Sequence, residues 1–151
     1  MIALKHIIFI MCSFLYIMDN MKQEYRKTNT TVSKVNYHFV FCPRYRRKVF
    51  LIDGFEQRFK ELVTQICEQN DLDILAMDCH IDHVHLFVNT PPQLSPADIM
   101  KLIKGGTGHI LKEEFLHYTN SRLWTRSYFV STADDVSSDT IKWYVETQKT
   151  R

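Results

Sequence analysis

The hydrophobic and polar positions of this chain follow two rhythms, one repeating every second residue and the other every three to four. Residues 32–42 (Val-Ser-Lys-Val-Asn-Tyr-His-Phe-Val-Phe-Cys) are rich in β-branched and aromatic side chains and stop at Pro43, which predicts a first strand followed by a basic turn. Over residues 53–70, Phe55, Phe59, Leu62, Val63 and Ile66 recur at helical spacing with charged residues between them, the mark of an amphipathic helix. Residues 72–79 and 82–89 are two apolar runs parted by His80-Ile81, the pattern of a hairpin, and Pro91-Pro92 ends it. Ser95 before Pro96 predicts a capped helix start. That helix runs to about Tyr118, with Gly105, Gly106 and Gly108 weakening its middle. Residues 128–132 read as a last strand, and Asp134, Asp135, Ser137 and Ser138 as a polar connector and cap before a short helix over residues 140–148.

The resulting order, β-α-β-β-α-β-α, predicts an α+β fold of the split βαβ, ferredoxin-like or RRM-like type. Such a fold has a four-stranded antiparallel sheet, here with a C-terminal helix left to dock elsewhere. At 151 residues and 45% hydrophobic content the chain is long enough for one domain with a sizeable core. Residues 1–20 stand apart. The first eighteen are apolar except for Lys5 and His6, resembling a signal-peptide core or membrane anchor, but they are short for a spanning helix and no small-residue cleavage site follows. We therefore read 1–20 as an extension ahead of a domain at 21–151, with translation starting at Met18 or Met21 and an anchor as the minority reading. No membrane partner is expected.

Charge adds little, since a net +2 does not by itself imply nucleic acid. Four cysteines without paired spacing (Cys12, Cys42, Cys67, Cys79) suit reduced thiols in a cytoplasmic protein and exclude a zinc finger. Lys104-Gly105-Gly106-Thr107-Gly108 lacks the spacing of a nucleotide phosphate loop.

Candidate chemistry sits in two places. In Asp82-His83-Val84-His85 the histidines are two residues apart, so a strand would point both imidazoles to one side as half of a metal site. Asp82 either orients His83 or caps the strand. Tyr144 and Gln148 are four residues apart on the last predicted helix, so a phenol and an amide oxygen share one face. The turn Arg44-Tyr45-Arg46-Arg47-Lys48 alternates cations with an aromatic ring suited to stacking on unpaired bases. His80 reads as an exposed turn histidine, and His38 carries no assigned role.

Several blocks, in this order, resemble a known family: Tyr37-His-Phe-Val-Phe-Cys-Pro-Arg-Tyr-Arg-Arg47, Asp82-His-Val-His-Leu86, Pro91-Pro-Gln-Leu-Ser-Pro-Ala-Asp-Ile-Met-Lys101, Leu123-Trp124, Tyr128-Phe-Val130 and Tyr144-Val-Glu-Thr-Gln148. The chain is similar to the single-tyrosine HUH transposases of small insertion sequences, the transposase IS200-like family. Position by position, the resemblance implies His83 and His85 as metal ligands, Gln148 as the third protein ligand and Tyr144 as the nucleophile. It also implies Mg²⁺ or Mn²⁺ as cofactor, single-stranded DNA with hairpin ends as partner, and a homodimer that exchanges the tyrosine helix between subunits. The chain departs from the family pattern at His80-Ile81, where Met-Pro is common, at Ala133-Asp134, where a glycine is common, and at His109, near which an arginine is common.

Two other classes stay open on the residues alone. One is a nucleic-acid-binding module without catalysis, or an inactive copy of such an element, since this fold also hosts RNA recognition. The other is a metal-dependent phosphodiester hydrolase that uses a bound water.

Overall fold

The computed structural model describes residues 25–117 and 119–132, which fall into two compact units. In the first unit, β1 (Arg26–Lys27) and β2 (Val32–Ser33) pair antiparallel, and the Thr28 hydroxyl accepts from the backbone N–H groups of Thr30 and Thr31 to close the turn. The strand expected over 32–42 is therefore broken at Lys34, with its longer part in the second unit.

The second unit is built on β3 (Val35–Phe41), α1 (Phe55–Gln69), β4 (Asp73–Cys79), β5 (Val84–Thr90), α2 (Pro96–Phe115) and β6 (Phe129–Ser131). The strands form one antiparallel sheet in the order β4-β5-β3-β6, the ferredoxin-like arrangement expected from the sequence. β3 and β5 lie at its centre, paired from Val35↔Thr90 to Phe41↔Val84.

Alternation along these two strands sorts the side chains. Tyr37, Phe39 and Phe41 join Val84, Leu86 and Val88 in the main core, while His38, Val40, His85 and Phe87 belong to the opposite face. The core face is covered by α1, which buries Phe55, Phe59, Leu62 and Val63, and by α2, which buries Ile99, Met100 and Ile103. Trp124 plugs the end of this layer, its ring 5.1 Å from Phe41 and 5.5 Å from Phe59. Its indole N–H donates to the Thr107 hydroxyl at 2.9 Å, and that hydroxyl donates onward to the Ile103 carbonyl, so both buried polar groups are satisfied.

The start of α2 follows the sequence closely. The Ser95 hydroxyl accepts from the Asp98 backbone N–H while the Asp98 carboxylate accepts from the Ser95 backbone, a reciprocal capping box with Pro96 at the first helical position. The glycines do not interrupt the helix. A Cβ at Gly106 would lie 2.6 Å from Ile66 Cδ1, and one at Gly108 would lie 3.3 Å from Trp124 Cδ1, so these two positions let α1 and the indole approach the helix backbone. Lys104, half-buried on the same helix, donates to the carbonyls of Thr125 and Ser127 at 3.1 and 2.6 Å. Among the described residues no helix is long and apolar enough to cross a membrane, and Cys42, Cys67 and Cys79 are free thiols.

Candidate functional site

The histidines gather around the loop between β4 and β5. β5 begins at Val84, so His83 is the last loop residue and not, as expected, the second residue of a strand. The loop is closed by the His80 backbone N–H donating to the His83 carbonyl at 2.9 Å. His85 then points to the sheet face opposite the core, and the His83 and His85 rings come together with centroids 5.1 Å apart.

A side chain from the loop itself holds His83. Asp82, only 8% exposed, accepts from His83 Nδ1 at 2.8 Å through Oδ1, while its Oδ2 accepts from Arg46 Nε and Nη2 at 3.0 and 2.6 Å. Burial works against the charged form of Asp82, but the hydrogen bonds from His83 and Arg46 outweigh it and hold the carboxyl below its usual range. With Asp82 ionised, the Nδ1 proton of His83 stays on that nitrogen and Nε2 carries the lone pair.

His85 has a different support. Its Nδ1 lies 3.2 Å from His38 Nε2, across from the neighbouring strand β3. Burial, reinforced by the neighbouring His83, His38 and His80, pushes His85 down to about 3, and burial pushes His38 down to about 4. Burial also lowers His83, against the pull of Asp82. These rings are therefore neutral at physiological pH, the form in which imidazole ligates a metal. The tautomer in which His85 Nδ1–H donates to His38 leaves His85 Nε2 with a lone pair, as a metal would require.

His80 joins the group. It stacks on His83 with centroids 4.3 Å apart and planes 3° from parallel, and its Nε2 is 3.0 Å from Asp78 Oδ2. One ligand atom each from His80, His83 and His85 can be chosen so that all lie within 4.8 Å of one another. Such a donor set fits a divalent ion, because three imidazoles gather and carboxylates stand behind two of them. Reading along the sequence places His80 on an exposed turn and gives His38 no role. Both are brought in by contacts across the sheet and the loop that residue spacing does not encode.

The basic turn after β3 divides its side chains. Tyr45 and Arg46 adopt positive φ angles of 61° and 48°, a strained pair of left-handed residues that swings the Arg46 guanidinium inward onto Asp82. Arg46 Nη1 is buried and, among the described residues, lacks a hydrogen-bond partner. Arg47 also turns in, donating to the carbonyls of Arg44 and Arg122 and to the Thr119 hydroxyl. Arg44 lies over the Tyr45 ring at 5.0 Å, and Tyr45 is 53% exposed. Lys48 is exposed. Arg44, Arg122 and Arg126 line a cleft of about 330 Å³ whose floor includes Trp124. The larger open groove along α1, about 980 Å³, contains none of these residues. Tyr144 and Gln148, the predicted nucleophile and third ligand, lie outside the described residues.

Residues 31–148 match the family model of IS200-like transposases. The chain is 33% identical over 121 residues to the transposase of insertion sequence element IS200 from Salmonella typhimurium, covering 75% of this chain and 78% of that one. It is 29% identical over 132 residues to the ISDra2 transposase TnpA of Deinococcus radiodurans, covering 83% and 91%. A Deinococcus radiodurans crystal structure assigned as a transposase superposes with a TM-score of 0.73 at 30% identity, over 82% of this chain and 97% of that one. The structure of a REP-associated tyrosine transposase bound to a REP hairpin shares the fold, with a TM-score of 0.52 at 14% identity over 80% and 68% of the two chains. With the sheet order and the histidine loop in place, the match over most of its length means that this chain belongs to the IS200-like transposase family.

Proposed function

We propose that the chain cuts and rejoins single-stranded DNA at the ends of an insertion sequence, with Tyr144 as nucleophile. The Tyr144 oxygen attacks the scissile phosphorus and the bond to the 3′ oxygen breaks. This leaves a 5′-phosphotyrosine and a free 3′-hydroxyl, the phenolic proton passing to solvent and the leaving oxygen taking one up. The phosphodiester energy is retained in the tyrosyl ester, so a second 3′-hydroxyl can displace Tyr144 without ATP.

Support comes above all from the buried Arg46–Asp82–His83 chain beside His85, which presents neutral imidazoles on a rigid hairpin in a chain of this family. His83 and His85, with Gln148 as third ligand, would hold Mg²⁺ or Mn²⁺. When bound, such an ion supplies Lewis-acid stabilisation of the charge that builds on the phosphate. Asp82 fixes the His83 ring. The low ordinary reactivity of a phenol, whose pKa is about 10, gives this stabilisation its importance.

In the same reading, single-stranded DNA runs past the basic turn. Arg44, Lys48 and the Arg122–Arg126 cleft meet phosphates, and Tyr45 stacks on an unpaired base. Arg46 and Arg47 contribute from behind, since their guanidinia are committed to protein groups. Hairpin ends are the proposed substrate, a homodimer with exchanged tyrosine helices the working assembly, and the cytoplasm the compartment.

The test uses single-stranded DNA from the element's ends, labelled separately at 5′ and 3′ termini, with Mg²⁺ or Mn²⁺. The expected result is a denaturation-resistant adduct on the 5′-phosphate that needs metal and is absent in Tyr144→Phe. Cleavage that persists in Tyr144→Phe would overturn the tyrosine chemistry in favour of hydrolysis by water. Binding without cleavage would leave a non-catalytic module or an inactive copy.

A further inference from the structure

We propose that His80 is a third imidazole ligand, so that His80, His83 and His85 select a divalent transition ion over Mg²⁺, a step that rests on the metal reading of His83 and His85 above. The loop geometry carries it. The hydrogen bond from the His80 backbone to the His83 carbonyl fixes the first and last loop residues against each other and sets their rings parallel at 4.3 Å. The His80 ring also meets His85 edge-on, with centroids 5.3 Å apart.

Each of the three rings has one nitrogen engaged from outside the group, by a different residue. Asp78 Oδ2 faces His80 Nε2, Asp82 Oδ1 faces His83 Nδ1, and His38 Nε2 faces His85 Nδ1. The remaining nitrogens, Nδ1 of His80 and Nε2 of His83 and His85, are the ones left to converge on a cation. A carboxylate or imidazole behind each ligating ring is the arrangement that orients histidines in metal sites and raises their basicity. Bonds of about 2.1 Å to one ion place donors about 3–4 Å apart, and one donor atom from each ring lies within 4.8 Å of the others. Because an ion meets an imidazole in the plane of its ring, ligation tilts His80 out of its stack on His83.

Donor type then decides the ion. Mg²⁺ keeps a near-octahedral shell of hard oxygens and gives up its water reluctantly. Imidazole nitrogen suits first-row transition ions, whose affinities rise from Mn²⁺ through Co²⁺ and Ni²⁺. A site with two histidines and one amide oxygen sits between these preferences, and a third imidazole tips it toward the transition ions.

Co²⁺ is the probe, because its visible spectrum reports nitrogen ligation directly and does not depend on activity. The full chain is titrated with Co²⁺ by calorimetry and absorbance, alone and in about a hundredfold excess of Mg²⁺. The wild type is expected to bind Co²⁺ without displacement by Mg²⁺. Loss of an outer partner alone typically weakens a site tenfold to a hundredfold, so His80→Ala and His80→Gln are expected to weaken it at least tenfold and to alter the spectrum. Both keep the backbone N–H that closes the loop, and circular dichroism checks the fold. Co²⁺ affinity within twofold of wild type in both variants, together with its loss in His83→Ala, would overturn the role of His80 and leave the two-histidine site standing. Absence of Co²⁺ binding to the wild type would overturn both.

Discussion

Arg46 Nη2 lies 2.6 Å from Asp82 Oδ2, and this contact ties the turn after β3 to the loop before β5 across 36 residues of chain. Both side chains are mostly removed from water, at 18% and 12% exposure. The guanidinium therefore balances a carboxylate whose other oxygen is already occupied by His83, and the three groups behave as one support.

Asp82→Asn keeps the volume and removes the charge. Its expected effect is a tenfold to hundredfold loss of Co²⁺ affinity, because the amide has one acceptor oxygen for two donors, His83 and Arg46, and no charge to hold the Nδ1 proton of His83 in place. Arg46 is left as a buried cation without its counter-charge, so urea unfolding should show a loss of about 2–3 kcal/mol. Unchanged metal affinity together with unchanged stability would show that the Arg46–Asp82–His83 chain has no supporting role.

The glycines of α2 give a contrast within two adjacent residues. Nothing approaches a Cβ built at Gly105, so Gly105→Ala is expected to stabilise the protein by roughly 0.5–1 kcal/mol, the ordinary gain in a helix interior. Gly106→Ala should gain less, since Ile66 Cδ1 must swing away from the new methyl group. In an Ile66→Val background, which deletes that carbon but leaves a γ-carbon 3.2 Å from the new methyl group, the gap between the two substitutions is expected to narrow. Denaturation midpoints of the four variants and their parents read this directly.

Lys104 gives a pH dependence of definite sign. Burial lowers its ammonium to about 8 from an ordinary value of 10.5, although two carbonyls accept from it. Between those limits the unfolded chain keeps a proton that the folded chain releases, so this group makes the folded state gain stability as pH rises from about 8 to 10.5. Below about 8 both states are charged and the gain is absent. Urea unfolding at pH 7 to 10.5 should therefore show wild type gaining on Lys104→Met by on the order of 2 kcal/mol across the window. A constant difference between the two would contradict the burial of a titrating amine.

Much of this architecture is legible in residue order. The helical spacing of Phe55, Phe59, Leu62 and Val63, the cap at Ser95 and the alternation through Phe39 and Phe41 are local patterns, and each forms the element expected of it. The pairing of His83 with His85 is also local. What supports that pair is not. His38 meets His85 only because β3 and β5 adopt one particular register, and Arg46 reaches Asp82 only through two left-handed residues that a run of arginines does not announce. His80 looks like a turn residue until the loop closes, and Gly106 and Gly108 look like weaknesses until α1 and Trp124 are packed against them. The predicted nucleophile Tyr144 and the predicted ligand Gln148 rest on sequence likeness to the family, since both lie outside the described residues.

The alternation at the centre of the sheet makes assembly of the site part of folding itself. Sliding β3 by one residue against β5 would turn His38 toward the hydrophobic layer and push Phe39 out into water, an error penalised on both faces at once. The register that hides the aromatic rings is the same one that sets His38 beside His85. A chain that has zipped its two central strands correctly has thereby proofread the geometry of its own chemistry.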